Sequence, residues 1–340
     1  MANGVSNLAP ATAEGRPTDS CEKLPIISSI RTKVFFVMLL FVYAFAFQST
    51  RALWNPDEGR YTNLALNMVR TGEWLMPKLD DETPHFTKPP LTYWALAFSF
   101  TVFGKNEFAA RFPNAIAFAA TVILVYILGT RIVPRRAWLA VLIYATMPLT
   151  YMAANVVTTD TILTLWEVMA VASFVLWWGR YARLPWNLMM WVSFGLGFLT
   201  KGPPALLPLI AIIAWMLTQK RPGCVRRLLN PIGLALFLFI GFGWYIQEII
   251  IERTLFRYFV NDEIFARIFT SKHHRNSEWH AVLTIYLPAL TAGALPWSVV
   301  VLRRSSRNAL MRLKKNGIAR FFSAEPWTAF CVLWFTIPLI

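Results

Sequence analysis

The sequence predicts an all-α, polytopic membrane protein. Three observations lead there. Of its 340 residues, 56% are hydrophobic and only 15% are charged, whereas a soluble domain usually carries about 25% charged residues. The apolar residues gather in blocks, many of them about 15–20 residues long, the length that crosses a hydrocarbon core. The basic residues fall between these blocks and mostly in alternate connections, as Lys and Arg do in short cytoplasmic loops. The net charge of +15 therefore marks topology, and nucleic acid is not expected as a partner, because no single soluble region holds the charge.

The elements follow in chain order. Residues 1–30 are polar and weakly patterned and read as a disordered cytoplasmic tail. They lack the charged-then-apolar layout of a cleavable leader, so the first apolar block is expected to be a retained span. The domain 31–340 is expected to hold nine spans, near 34–50, 114–132, 137–153, 161–178, 186–200, 203–218, 231–250, 281–302 and 325–340. The apolar stretch 89–103 is short, opens on Pro89-Pro90 and suits a helix lying in the interface. Cys21, Cys224 and Cys331 show no metal-ligand spacing and read as free thiols.

With the N-terminus cytoplasmic, 20 of the 33 Lys and Arg residues lie inside, seven of them in the loop 303–320. That loop is expected to touch anionic lipid. The outer loops 51–113 and 251–280 then hold most of the acids and all four histidines, His85, His273, His274 and His280. Titratable chemistry is concentrated on the outer face. A pore would instead place polar residues inside the spans. Trp177, Trp178, Trp186, Trp191, Trp244, Tyr245 and Trp297 sit mostly at span ends and read as an aromatic belt. Gly195, Gly197, Gly241 and Gly243 read as close helix contacts. Glu167 falls inside a span, where it must face protein or water.

The first outer loop opens Trp54-Asn55-Pro56-Asp57-Glu58-Gly59-Arg60-Tyr61. Paired carboxylates directly after a span suit a general base or a metal ligand. They equally suit a helix start, with Asp57 capping and Glu58 favouring the dipole. Residues 60–71 predict an amphipathic helix with Tyr61, Leu64, Ala65, Met68 and Val69 on one stripe. Lys88 precedes Pro89-Pro90 on stiff backbone. There it suits a phosphate as a compact point charge, or else it snorkels at the interface.

Together these runs are similar to a known family. Asp57-Glu58 with Arg60-Tyr61, Gly72-Glu73-Trp74, Lys88-Pro89-Pro90-Leu91, Asn106-Glu107-Phe108-Ala109-Ala110-Arg111-Phe112-Pro113, Thr158-Thr159-Asp160 and Leu199-Thr200-Lys201-Gly202-Pro203 resemble the bacterial protein-mannosyltransferase-like family. That family includes the aminoarabinose transferases that modify lipid A. The resemblance spans about residues 30–340. It implies a GT-C fold, a transmembrane helix bundle with its active site in periplasmic loops. It further implies a polyprenyl-phosphate sugar donor, a lipid A or protein acceptor, and transfer with inversion. Asp57, Glu58 and Asp160 match its outward acidic positions, and Lys88 and Lys201 its basic positions facing the donor phosphate. Arg267 and Arg275, with His273-His274, resemble the basic segment that closes over the donor.

Two departures stand out. Thr87 occupies the position before the Lys-Pro-Pro run where many members carry Glu. In the aminoarabinose transferases that Glu helps hold a metal with histidines, and a threonine hydroxyl is a poor zinc ligand. No metal site is therefore assigned and no cofactor is named, although a divalent metal stays open. The chain also ends inside an apolar run, Cys331–Ile340, where members continue, so a truncated and inactive member is one alternative expectation. The other is a transporter or flippase of a lipid-linked intermediate, which should show paired repeats with broken helices.

Overall fold

The computed structural model describes residues 30–80, 82–179, 183–219, 223–265, 282–300 and 326–339. Among these the regular structure is helical, apart from one isolated antiparallel bridge between Lys78 and Pro84. The chain divides into two compact units, Met1–Leu39 and Leu40–Ile340. Of the first, the described part is the opening of the apolar helix α1 (Ile30–Phe45). The second unit carries everything that follows.

Two amphipathic or apolar helices form the segment after α1, α2 (Asp57–Thr71) and α3 (Leu91–Phe103). Helix α2 buries Tyr61, Leu64, Ala65 and Met68, most of the predicted stripe, against Tyr93, Leu96, Ala97 and Phe100 of α3. It stops at Gly72, whose φ of 76° lets its amide reach the Met68 carbonyl. That left-handed conformation costs glycine little. Helix α4 (Glu107–Ile132) starts where the Asn106 side chain accepts from the Ala109 amide at 2.8 Å, satisfying one orphan donor.

The apolar blocks continue as α5 (Ala137–Thr146), α6 (Pro148–Ala154), α7 (Thr159–Trp178), α8 (Leu184–Lys201), α9 (Leu207–Thr218), α10 (Cys224–Leu228) and α11 (Pro231–Ile251). Among the described residues three helices are long and apolar enough to cross a membrane, α4, α7 and α11. The single span expected at 137–153 is instead a pair of helices bent by 62°. Pro148 has no amide to continue the ladder, so the helix breaks in front of it. Counted as one broken span, that pair makes four. Short helices α12 (Thr254–Arg257), α13 (Leu287–Gly293) and α14 (Pro326–Thr336) follow, with π-helical segments at Tyr258–Phe265 and Val282–Tyr286.

The main core lies where α8 packs between α7 and α11, with α9 and α14 alongside. Phe174, Trp191, Phe194, Trp215 and Phe330 are its largest fully buried side chains. Trp191 therefore does not belong to an interfacial belt. It is 2% exposed and donates to the Leu228 carbonyl at 3.0 Å. Trp244 is likewise buried and donates to the Leu75 carbonyl at 2.9 Å. An indole N–H needs a partner wherever it is buried, and both find one inside the protein. Among the glycines expected at helix contacts, Gly195 meets Ile240, Gly197 meets Ala205 and Gly241 meets Phe198, but Gly243 faces open space. Cys224 and Cys331 are free thiols.

Candidate active site

Helix α2 presents Asp57, Glu58, Arg60 and Tyr61 within one turn. Its N-cap is Pro56, and no side chain caps the helix. Asp57 is thus not a capping residue. It is exposed and pairs with Arg60 at 2.5 Å. Across the fold, Asp160 stands in the first turn of α7 and Lys201 in the last turn of α8. The Lys201 ammonium contacts an Asp160 carboxylate oxygen directly. Sequence neighbours offered Lys201 no such partner, and the packing of α7 on α8 supplies it from 41 residues away.

Tyr61 joins the two halves. Its hydroxyl is held above its ordinary pKa, chiefly by burial, and the charges of Arg60, Asp57 and Asp160 all act on it. Its ring stacks at a tilt 5.8 Å from Tyr93. Next comes His85, 8% exposed, with Nε2 at 2.5 Å from the Thr87 hydroxyl. Burial pushes its pKa down to about 4, helped by the positive charges of Arg60 and Lys88. His85 is therefore neutral at pH 7. Half-buried Lys88 follows at once, carried between Thr87 and the buried prolines Pro89 and Pro90. The charges of Asp57, Arg60 and Asp160 thus act together on Tyr61, and those of Arg60 and Lys88 on His85. Glu167 lies seven residues beyond Asp160 on α7, two turns on along the same face.

Glu58 differs from its neighbour. It is 1% exposed and accepts six hydrogen bonds. Burial alone would raise its pKa, yet bonds from Arg51, Arg111 and the amides of Trp54 and Val157 hold it down at about 2. A carboxylate this fully bonded stays ionised. Arg51 and Arg111 were not singled out as functional candidates from the sequence. The available signal was a lone Arg within the small apolar run Ala109-Ala110-Arg111-Phe112, since an arginine there needs a buried counter-ion.

Arg267 and Arg275, like His273, His274 and His280, lie outside the described residues. Among the described residues no three His, Cys, Asp or Glu side chains come together, and Thr87 pairs with His85 where the family's ligand would stand.

With this geometry in view, residues 87–246 match the dolichyl-phosphate-mannose-protein mannosyltransferase family. An undecaprenyl phosphate-α-4-amino-4-deoxy-L-arabinose arabinosyl transferase of Erwinia tasmaniensis is 32% identical over 297 residues, 84% of this chain. Residues 87–246 thus carry a domain of that mannosyltransferase family. A second family relative of the same description, from Yersinia pestis, is 33% identical over 279 residues, 78% of this chain. The chain spans about half the length of these relatives, 51% and 47%. The GT-C fold is shared with ArnT of Cupriavidus metallidurans, solved bound to undecaprenyl phosphate. That structure superposes with a TM-score of 0.70 at 24% identity, covering 90% of this chain and 59% of the other.

Proposed function

We propose that the chain transfers a sugar from a polyprenyl-phosphate donor to a lipid A phosphate or a protein hydroxyl at the periplasmic face of the inner membrane. Undecaprenyl phosphate carrying 4-amino-4-deoxy-L-arabinose, the donor in the relatives' names, is the first donor to test. The observation that carries this reading is the Lys201–Asp160 contact between α8 and α7, with the charges of Asp57 and Asp160 acting together on Tyr61 and that of Lys88 on His85. It involves two acids and two cations, in a chain with helices apolar enough to span a membrane.

The acceptor oxygen attacks the anomeric carbon from the face opposite the phosphate. The carbon–oxygen bond to the phosphate breaks, configuration inverts, and the electron pair leaves with the polyprenyl phosphate. Lys88 and Lys201 offset the charge that grows on that leaving group, and preorganised cations in a partly dry site do so effectively. If the acceptor is a hydroxyl, Asp57 takes its proton. If it is a phosphate, it arrives ionised, and Asp57 orients it. Asp160 holds the Lys201 ammonium in place. The positive loops face the cytoplasm with the N-terminus, and the lipid chain of the donor stays in the bilayer.

The decisive experiment compares lipid A and periplasmic glycoproteins by mass spectrometry with and without the gene, and supplies the undecaprenyl-linked donor to membranes holding the full chain. Gene-dependent gain of a sugar mass on lipid A or protein is expected. Unchanged lipid A and unchanged proteins in cells that make the donor would sink this reading.

A further inference from the structure

We propose that Glu58 is a positioning residue that ties the segment carrying Asp57 to the segment carrying Asp160, so that one buried carboxylate sets the geometry between the two. The inference rests on the reading of the site above. Glu58 Oε1 accepts from the Val157 amide at 2.9 Å and from Arg111 Nε at 3.1 Å. Its Oε2 accepts from the Trp54 amide at 2.8 Å and from Arg51 Nη1 at 2.6 Å. Trp54 stands three residues before Asp57, and Val157 three residues before Asp160. Both approaches to the site therefore hang from the same side chain.

The arginines extend the tie. Arg51 Nη2 donates to the Asn155 carbonyl at 2.6 Å. Arg111, 1% exposed, donates to the carbonyls of Gln48, Arg51 and Ala52. One turn further along α4, the buried Asn114 donates to the carbonyls of Val156 and Thr158 at 2.6 and 3.2 Å. Arg111 and Asn114 thus hold the two approaches from a third helix. A carboxylate so placed has no free lone pair to meet substrate, and with both oxygens bonded it takes no proton from an acceptor. Removing it would leave Arg111 buried and unpaired, which makes its neighbours shift.

The test uses the full chain in lipid nanodiscs, with Glu58→Ala, Glu58→Gln and the milder Arg51→Gln, which leaves Glu58 paired to Arg111. Amide hydrogen exchange is read on the segments holding Trp54 and Val157. Glu58→Ala should speed both together, with Glu58→Gln and Arg51→Gln following in the same direction. Exchange that rises at Trp54 alone would overturn the tie. In the second arm, transfer from the undecaprenyl-linked donor should fall by about 10²-fold in kcat per folded molecule in Glu58→Gln, the loss that misplacement by about 1 Å brings. The donor KM and the midpoint of the acid limb should stay where they are, because Glu58 neither binds donor nor accepts the proton. Wild-type turnover per folded Glu58→Gln molecule, or an altered acid limb, would also overturn the proposal. If the unaltered chain transfers nothing, the proposed function fails, while the exchange arm still reads the tie.

Discussion

At the scale of single residues, two adjacent carboxylates serve different ends because one is exposed and the other buried. Asp57 caps nothing, and its exposed ion pair with Arg60 adds little stability. Asp57→Asn should therefore insert and fold normally while turnover of the full-length protein falls by about 10²-fold or more, as for loss of a general base. Near-normal transfer would move that role to Asp160. Lys201→Met should weaken binding of undecaprenyl phosphate by about 30-fold, the low end of what loss of a charge contact costs, measured by titration in nanodiscs. An unchanged affinity would leave Lys201 as a partner of Asp160 only. Glu58 adds a pH signature. Its folded pKa of about 2 lies below the ordinary carboxyl value of 4.5, so it contributes stability that is complete above the unfolded value. That stability is lost as pH falls from about 4.5 through about 2. Thermal unfolding of the wild type should show this acid decline, and Glu58→Gln should flatten it.

At the scale of elements, the bundle depends on close approach of α8 and α11. A Cβ on Gly233 would lie 2.3 Å from Trp191 Cδ1. Trp191 is 2% exposed and tied to the Leu228 carbonyl, so it has little room to retreat. Gly233→Ala should destabilise by about 1–3 kcal/mol, as overpacking does, seen as a lower unfolding temperature in detergent. Gly243→Ala, facing open space, should leave that temperature unchanged. The apolar blocks and their order were legible in the sequence because hydrophobic length alone decides them. The break at Pro148 was also written there, as a residue without an amide, though the 137–153 block was read through it. The placing of Trp191 and Trp244 was not legible, since an indole near a span end looks the same whether it faces lipid or a neighbouring helix.

At the scale of the whole molecule, the charge pattern predicts orientation. The loop 303–320 should be cytoplasmic and the loop 54–113 periplasmic. Cysteines introduced at positions 80 and 310 in a background lacking Cys21, Cys224 and Cys331 test this with an impermeant maleimide. In intact spheroplasts position 80 should label and position 310 should not. The reverse pattern would invert the topology and remove the argument for an outer-face site.

The sequence by itself determined the class of the protein, its resemblance to a family and the residues proposed for the site. Span length, charge segregation and short motifs are local properties, and each is complete within a few residues of chain. Only the tertiary structure decided what those residues meet. It paired Lys201 with Asp160 across 41 residues and set Tyr61 where the charges of both Asp57 and Asp160 act on it. It also sank Glu58 between Arg51 and Arg111 while leaving Asp57 exposed. Adjacent residues at the start of a helix point about 100° apart, so neighbours of the same charge part company as soon as one face packs. Which face packs is set by α4 and the turn before α7, distant in the chain, and no local pattern records it.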